Sequence, residues 1–301
     1  MKNTLIVIPG PTGVGKTQFA VDLAIRLGCD IISCDSRQFY REMRIGTAAP
    51  DDKQLGRVMH HFIGFLSVTQ YYSISLYERD VLELLKSLFR TCPVAVMTGG
   101  SMLYMDAVCR GMDDIPDTDP AVRQKYIEMY HNEGIQGLRL ALKILDPDHY
   151  ARVDLHNPRR IMRALEITES TGRPYSSFLI SSPRERDFRI IKAGLTRDRG
   201  ELYKRIDQRV DRMMAEGLER EAAALIEYRN LNALSTVGYR EMFRYLDGEI
   251  TKEQAVSLIK RNTRRYARKQ LTWWNRDSEI TWFDAGDSDR TISWIENRLE
   301  D

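Results

Sequence analysis

The stretch that decides the fold is Gly10-Pro11-Thr12-Gly13-Val14-Gly15-Lys16-Thr17, near the start of the chain. It matches the pattern G-x-x-x-x-G-K-[ST], in which glycines let backbone N–H groups converge on phosphate oxygens. Lys16 supplies a mobile cation, and the Thr17 hydroxyl is placed to meet a Mg²⁺ ion held by the phosphates. All eight residues are therefore predicted to bind a di- or triphosphate, although the loop alone does not define the reaction.

The segments around this loop have the context that the motif requires. Thr4–Pro9 is mostly apolar, as in a strand buried on both faces, and Gly15–Leu27 has helical spacing. Further strand-like runs lie at Asp30–Ser33 and Val94–Met97. Strands that alternate with helices predict an α/β fold of the P-loop NTPase type, with a parallel sheet flanked by helices.

Two more helices are predicted within this first part of the chain. One runs from about Ser75 to Phe89 and opens with a predicted capping box formed by Ser75 and Glu78. The other runs from Met102 to Cys109, directly after Gly99-Gly100. Both helices fit the alternating pattern of the core.

Near Met112 the sequence stops alternating between strand-like and helical patterns. An acidic, proline-containing linker follows, and the next 70 residues show helical patterns at Ala121–His131, Gln136–Leu145 and Pro158–Thr171. Strand-like sequence returns at Phe188–Leu195. We therefore predict a core of residues 1–112 and 187–301, interrupted by an all-helical insertion of residues 113–186, with a last strand near 280–283.

The composition sets limits on function. The 301 residues, 43% hydrophobic and 29% charged, indicate a soluble globular protein, and a net charge of +2 is too small to establish a nucleic-acid partner. No segment approaches the roughly 20 apolar residues of a membrane span, and the N-terminus is predicted to be a buried strand rather than a signal peptide. The four scattered cysteines predict reduced thiols and no zinc site. We expect a cytoplasmic monomer without membrane contact.

Asp35 follows the second predicted strand. Ligands bind outside the carboxyl ends of parallel strands, so Asp35 is expected to face the same crevice as Lys16. Its carboxylate can accept a proton from a nucleophile or hold Mg²⁺ through water. The structural alternative is that Asp35 caps its loop or pairs with Arg37.

Several motifs together resemble the tRNA dimethylallyltransferases, also called isopentenyltransferases. They occur in the order of that family and cover the chain from residue 5 to about 275. The motifs are GPTGVGKT at 10–17, DSRQFY at 35–40, IGTAAP at 45–50, GGSMLY at 99–104, RALE at 163–166, RID and RVD within 205–211, VGYRE at 237–241, and the basic segment ending in KQLTWW at 269–274. The ordered set is far more specific than the phosphate loop by itself.

The resemblance implies a reaction and roles for its residues. Members of the family transfer a dimethylallyl group from dimethylallyl diphosphate to N6 of the adenosine 3′ of the tRNA anticodon. In this sequence Asp35 matches the general base, Arg205 matches the diphosphate-binding arginine, and Thr17 orients a phosphate oxygen and Mg²⁺. The phosphate loop is then expected to hold a leaving diphosphate. ATP can bind there by shape, but is not expected to supply the chemistry.

The same resemblance implies contacts with the tRNA anticodon stem-loop, including some from the insertion. The matching residues are Asp35, Ser36, Arg37, Gln38, Ser101, Arg123, Arg159, Arg160, Arg163, Val237, Gly238, Tyr239 and Arg240. One departure concerns the family pattern N-D-P-Q-R, which reads His156-Asn157-Pro158-Arg159-Arg160 here. The helix start is expected to hold, whereas the base contacts of that loop are less defined.

A basic segment near the C-terminus supports an RNA partner. Residues 260–276 contain seven basic residues and no acidic residue, so a helix there would have a broad basic face that includes Arg264, Arg268 and Lys269. A solvated surface is the alternative. Trp273 and Trp274 are expected in the core, and His60-His61 is interpreted as structural because no third metal ligand is apparent.

Three other functions remain open at the level of the sequence. A related transferase prenylates free AMP, but it would need neither the insertion nor the basic helix. A small-molecule kinase would use the same loop with ATP. A non-catalytic RNA-binding module would leave the pairing of Asp35 with a complete phosphate loop unexplained.

Overall fold

The computed structural model describes residues 2–113, 115–116, 118–179 and 184–300. The strands in these residues are β1 (Thr4–Ile8), β2 (Ile31–Ser33), β3 (His60–His61), β4 (Val94–Thr98), β5 (Arg189–Thr196) and β6 (Thr281–Asp284). They form one sheet in the order β3-β2-β4-β1-β5-β6, and every neighbouring pair is parallel. The predicted parallel α/β fold is confirmed. The two-residue strand β3 has no alternating pattern of its own and was not predicted.

Helices lie between and after the strands. The α-helices in the described residues are α1 (Lys16–Leu27), α2 (Asp52–Leu55), α3 (Ile74–Leu88), α4 (Met102–Arg110), α5 (Pro120–Leu145), α6 (Pro147–Tyr150), α7 (Pro158–Thr171), α8 (Arg199–Glu216), α9 (Leu218–Ala224), α10 (Tyr239–Leu246), α11 (Lys252–Trp274) and α12 (Ser288–Glu300). Within the same residues, 3₁₀ turns lie at Tyr175–Phe178, Ile226–Tyr228 and Asn232–Leu234. None of the helices within the described ranges is long and apolar enough to cross a lipid bilayer.

The central strands are buried because they carry apolar side chains on both faces. All five residues of β1 and the first four of β4 are buried, as expected for parallel strands covered by helices on both sides. One face packs with Phe19 and Leu23 of α1, and the other packs with Tyr77 and Val81 of α3. The core therefore lies on both sides of the sheet and fixes the ends of β1, β2 and β4.

The start of α3 corrects one sequence prediction. Ser73, not Ser75, caps the helix, and its side chain accepts a hydrogen bond from the backbone N–H of Leu76. Glu78 is buried and pairs with Arg186 at 2.6 Å, so it takes no part in a capping box. Ser73 lies two residues before the serine that the capping-box pattern selected.

The chain divides into two compact units, Met1–Arg110 with Glu185–Asp301 and Gly111–Arg184. Regular structure within the described part of the second unit is entirely helical. Its core includes Tyr126, Leu138, Leu142 and Ile161, contributed by α5 and α7. The helix α5 is interrupted at Gly134, where φ is +66° and ψ is −161°, between the two shorter helices that the sequence patterns predict.

Candidate functional site

Three loops of the core unit meet at the carboxyl edge of the sheet, because β4 lies between β1 and β2. The loop after β4 passes so close to the loop after β2 that a Cβ atom on Gly99 would lie 2.0 Å from the carbonyl oxygen of Cys34. The backbone N–H of Ser101 donates to that same oxygen at 3.0 Å. Glycine is required at position 99 because any side chain would separate the two loops.

The phosphate loop has the backbone that its sequence predicts. Gly13 and Gly15 have φ values of +82° and +116°, which L-residues with side chains rarely adopt. Helix α1 begins directly afterwards at Lys16, so its N-terminal N–H groups point into the loop. The Lys16 ammonium group donates to the carbonyl oxygens of Gly10 at 2.6 Å and Pro11 at 2.9 Å. The loop therefore holds its cation in place.

Lys16 has a perturbed acidity. Burial lowers the pKa of its ammonium group most strongly, the nearby Arg209 cation lowers it as well, and Asp35 partly opposes both effects, which together bring this pKa to about 7. An anion that bound beside this amine would restore the charged form. The charge of Lys16 in the free protein therefore changes near neutral pH.

Asp35 lies on the far side of the same crevice. One carboxylate oxygen, Oδ1, accepts a hydrogen bond from the backbone N–H of Arg37 at 3.1 Å. The loop-capping geometry that the sequence left as an alternative is therefore present. It is also compatible with chemistry, because Asp35 lines a cavity with Lys16 and Thr17. The short turn orients the carboxylate toward that cavity.

Two arginines of α8 approach the loops. Arg205 is exposed, and its Nε donates to the carbonyl oxygen of Gly13 at 2.9 Å, so its guanidinium lies against the phosphate loop. Arg209 follows one turn later and donates from Nη2 to the carbonyl oxygen of Thr47 at 2.9 Å. The sequence prediction included Arg205 and missed Arg209. The four-residue spacing, which places both on one helix face, was the available signal.

Two cavities meet at Asp35. The first, called the phosphate cavity, is lined by Lys16, Thr17, Ser33, Gln38 and Thr98. The second, called the outer cavity, is lined by Ser36, Arg37, Ser101, Val237, Gly238 and Arg240 and by the apolar side chains of Val210, Met213 and Ile259. Thr12, Asp35, Arg209 and Tyr266 line both cavities. Residues from six segments of the sequence thus line the two cavities that meet at this carboxylate.

Most of the predicted RNA-contacting residues of the core unit border the outer cavity, and several hold one another in place. The Ser101 hydroxyl accepts a hydrogen bond from the Ser36 backbone N–H at 2.8 Å and lies 2.9 Å from the Ser36 hydroxyl. Arg37 donates to the carbonyl oxygens of Asn232 and Ala233. These bonds fix the rim of the outer cavity.

Two of the predicted residues are placed differently. The Tyr239 side chain is fully buried and its hydroxyl donates to Glu221 at 2.6 Å, so it is not available to an RNA in this conformation. Glu221 also accepts from the backbone N–H groups of Ile45 and Gly46, which makes Tyr239 part of a structural network. Gln38 lines the phosphate cavity instead of the outer one and donates to the carbonyl oxygen of Thr47.

The basic segment forms most of α11, and its charges are partly compensated. Arg264 pairs with Asp207 and lies over the ring of Tyr203, while Lys260 pairs with Asp211 at 2.6 Å. The acidic partners come from α8, and the basic segment itself contains no acidic residue. Arg268 and Lys269 are exposed and remain the more accessible cations.

The helical unit also groups its predicted RNA-contacting residues. Arg123 and Arg163 lie 3.9 and 3.7 Å from the carboxylate of Glu166, which is buried. Arg159 and Arg160 are exposed in the first turn of α7. The helix start is held by Asn157, whose side chain accepts from the N–H of Arg160, so the local departure in sequence preserves the cap.

Four other residues that the sequence singled out have the following contacts. Trp274 is buried and the Trp273 ring N–H donates to Asp106, which confirms their assignment to the core. His61 Nε2 lies 2.8 Å from a carboxylate oxygen of Asp30, and His60 Nδ1 lies 2.8 Å from the carbonyl oxygen of Val58. Within the described residues, no cluster of three or more His, Cys, Asp or Glu side chains is arranged to hold a metal.

Comparisons with known proteins agree on one family. A family model described as IPP transferase matches residues 38–277. A protein from Porphyromonas gingivalis named tRNA dimethylallyltransferase 2 is 57% identical over 281 residues, which cover 93% of this chain and 94% of the relative. A protein of the same name from Parabacteroides distasonis is 50% identical and covers 99% of both chains.

Solved structures give the same result for the fold. The full-length tRNA isopentenylpyrophosphate transferase of Bacillus halodurans is 37% identical, with a TM-score of 0.71 over 99% of this chain and 96% of that protein. A eukaryotic dimethylallyltransferase that acts on tRNA has a TM-score of 0.82 at 23% identity, and covers 99% of this chain and 77% of that protein. The second likeness supports the fold alone.

Proposed function

This chain belongs to the tRNA dimethylallyltransferase family, whose matching model is described as IPP transferase, and from that premise we propose how its site works. The protein is a prenyltransferase that modifies tRNA. We propose that its donor is dimethylallyl diphosphate and its acceptor is N6 of the adenosine 3′ of the anticodon. Diphosphate is the second product.

The observation that carries this proposal is the position of Asp35 where the phosphate cavity and the outer cavity meet. A transferase must bring donor and acceptor to one point while keeping their remaining parts apart. The phosphate cavity offers N–H groups and cations for a diphosphate. The outer cavity offers apolar side chains and a polar rim suited to an allyl group and an extruded base.

The proposed step breaks one bond and forms another. The bond between the allylic carbon and the diphosphate oxygen breaks, and that carbon bonds to N6 of adenosine. The N6 proton moves to the Asp35 carboxylate, and the electron pair of the broken bond leaves with the diphosphate. An adenine amine becomes acidic only during attack, so a well-positioned carboxylate is sufficient to accept its proton.

Cations around the phosphate loop support the departure of the diphosphate. As the bond breaks, negative charge grows on the diphosphate, and preorganised donors stabilise that growing charge more than the ground state. The proposed donors are the N–H groups of the loop, Lys16 and Arg205, and the contacts of Lys16 with Gly10 and of Arg205 with Gly13 support this choice. Arg209 is a further candidate, because it reaches the phosphate cavity and the outer cavity at once.

The Thr17 side chain is suited to bind a Mg²⁺ ion that arrives with the diphosphate. The Thr17 hydroxyl lines the phosphate cavity and forms no hydrogen bond with any residue that the structure describes. Mg²⁺ usually keeps several waters and takes one or two protein ligands together with phosphate oxygens, so one hydroxyl is an adequate anchor. When bound, the ion would neutralise charge on the leaving diphosphate.

The RNA is proposed to bind through both units. In the core unit the candidates are the rim of the outer cavity and the exposed cations Arg268 and Lys269 of α11. In the helical unit they are Arg123, Arg159, Arg160 and Arg163. Exposed arginines suit phosphate contacts, whereas the polar rim suits recognition of a base.

The loop pattern also permits ATP to bind, but we propose that ATP is not the reactant. Transfer to free AMP and phosphoryl transfer by a kinase remain the alternatives. The monomeric state and the cytoplasmic location stay predictions from the sequence.

One assay separates these functions. The protein is incubated with dimethylallyl diphosphate, Mg²⁺ and either unmodified tRNA or AMP, and N6-prenyladenosine is measured by mass spectrometry after digestion. Product from tRNA and none from AMP is expected. Product from AMP alone, or none from tRNA, contradicts the proposal, and a phosphorylated product in a parallel incubation with ATP would indicate a kinase.

A further inference from the structure

A buried glutamine on the basic helix reaches into the centre of the site. Gln270 of α11 is fully buried, although it follows the exposed residues Arg268 and Lys269 directly in sequence. Its side-chain oxygen Oε1 accepts a hydrogen bond from the backbone N–H of Thr12 at 2.9 Å. Its side-chain nitrogen Nε2 donates to the carbonyl oxygen of Gly100 at 2.8 Å. One amide therefore joins the phosphate loop to the loop after β4.

The second of these loops lies beside the proposed base. A Cβ atom on Gly100 would lie 2.8 Å from Gln270 Nε2 and 3.4 Å from Asp35 Oδ2. Tyr266, one turn earlier on α11, also donates to the carbonyl oxygen of Gly100, at 2.9 Å. Gln270 thus touches the loop that would hold the donor and lies next to the carboxylate that would take the proton.

Only an amide satisfies both neighbours at neutral pH. Thr12 N–H requires an acceptor and Gly100 C=O requires a donor, and a glutamine amide supplies one of each. A methionine would leave the Thr12 N–H without this acceptor and the Gly100 carbonyl oxygen with Tyr266 as its remaining side-chain donor, which costs free energy. An ionised glutamate would accept from Thr12 but would place negative charge against the Gly100 carbonyl oxygen, whereas a protonated glutamate would again have one donor and one acceptor.

We propose that Gln270 is a positioning residue for the transfer, which fixes the phosphate loop at Thr12 relative to Asp35. This inference rests on the proposed function. Gln270 contacts neither reacting group in the proposed step, so it acts through the two loops. Reacting groups held in a defined geometry gain rate from that preorganisation, and a loosened support loses it.

The test compares Gln270→Glu with Gln270→Met across pH 5.5 to 8.5, a range of roughly three units around the acidity expected for a buried carboxyl. We expect kcat of the Glu variant to fall about tenfold or more at the alkaline end and to recover toward wild type at the acidic end. The Met variant should be impaired at every pH. KM for tRNA should change little in both, because the exposed cations of α11 are untouched.

Other titratable or charged groups face the same cavity, and their effects on the pH profile must be separated from the effect of residue 270. They are Lys16, Asp35, His60, Arg209 and Tyr266. The kcat of each variant is therefore divided by the kcat of wild type measured at the same pH. The matched control is Gln254→Glu, the same substitution in the exposed first turn of α11, where glutamate also completes a capping box. This control should follow the wild-type profile.

A second measurement does not depend on transfer. Binding of inorganic diphosphate, followed by calorimetry, should weaken by roughly threefold to tenfold in the Met variant, because Thr12 is no longer held. If wild type binds diphosphate but makes no prenyladenosine, the proposed function fails and this measurement still decides the role of Gln270. The inference is overturned if both variants keep the kcat and the diphosphate affinity of wild type. It is also overturned if the loss of kcat in the Glu variant does not change with pH.

Discussion

At the scale of single residues, the site depends on Asp35, whose carboxylate is oriented by a hydrogen bond from the Arg37 backbone N–H. That bond makes a clean test available. Asparagine keeps an oxygen that can accept it but cannot take a proton, whereas alanine removes both functions. The two substitutions therefore separate proton acceptance from loop structure.

We predict that Asp35→Asn and Asp35→Ala each lower kcat by about two orders of magnitude or more, while tRNA affinity stays nearly unchanged. Single-turnover rates and filter-binding constants measure the two quantities. If the Asn variant keeps comparable turnover, Asp35 is a loop residue and not the base.

Lys16 gives a prediction about pH. Its pKa of about 7 in the free protein means that the amine is mostly neutral at pH 8, and bound diphosphate favours the charged form. Binding at pH 8 should therefore take up roughly 0.9 of a proton at this residue, and affinity should fall as pH rises through about 7. Calorimetry in two buffers of different ionisation enthalpy measures the uptake.

The control for Lys16 is Lys16→Arg, because arginine stays charged throughout this range. Both proteins experience the same titration of diphosphate itself, so that contribution cancels in the difference between them. Equal proton uptake by wild type and variant would show that Lys16 is already charged before binding.

At the scale of elements, α11 serves two purposes on two faces. One face presents the exposed cations Arg268 and Lys269, and the other presents Gln270 and Tyr266 to the loops of the site. Arg264 belongs to neither set, because it pairs with Asp207 of α8 and lies over the ring of Tyr203. A single helix therefore contributes both RNA-binding charge and internal support.

We predict that Arg268→Ala and Lys269→Ala each weaken tRNA binding and each reduce the slope of log K against log[salt] by about 0.7 to 0.9. Arg264→Ala should change that slope less, because its charge is already paired. Binding constants measured over a range of salt concentrations test this. An equal change for Arg264 would mean that its pair with Asp207 opens when RNA binds.

At the scale of the whole molecule, a buried ionic group connects distant parts of the core unit. Lys192 of β5 donates to Asp277 at 2.7 Å and to Glu279 at 2.5 Å, and Arg110 at the end of α4 also pairs with Asp277 at 2.7 Å. Lys192 is only 7% exposed. Removing Asp277 would take one of its two carboxylate partners from the buried Lys192 and leave Glu279 as the other.

We predict that Asp277→Ala lowers the free energy of unfolding by about 1.5–3 kcal/mol, because the buried Lys192 loses one charged hydrogen-bond partner and keeps Glu279. The matched control is Asp247→Ala, which breaks an exposed pair with Arg229 and should cost about 0–1 kcal/mol. Urea denaturation of both variants provides the comparison. Similar losses in the two variants would mean that the buried group contributes no more than a surface ion pair.

The sequence by itself determined the parallel α/β fold, the phosphate loop and the position of Asp35, because these follow from local patterns. Apolar runs define β1, β2 and β4, and parallel strands bring their carboxyl ends to one edge. Helices were predicted to within a residue or two where apolar spacing was regular. The cap of α3 was predicted wrongly, because the capping-box pattern selected Ser75 instead of Ser73.

Tertiary structure alone decided the rest, because it depends on partners far apart in the chain. The pKa of Lys16 follows from burial beside Arg209, the charge of Arg264 is paired from another helix, and Tyr239 is buried although its motif suggested RNA contact. Gln270 and Thr12 are separated by 258 residues, yet one hydrogen bond joins them. No local pattern encodes such a pair, since it forms only when α11 packs against the edge of the sheet.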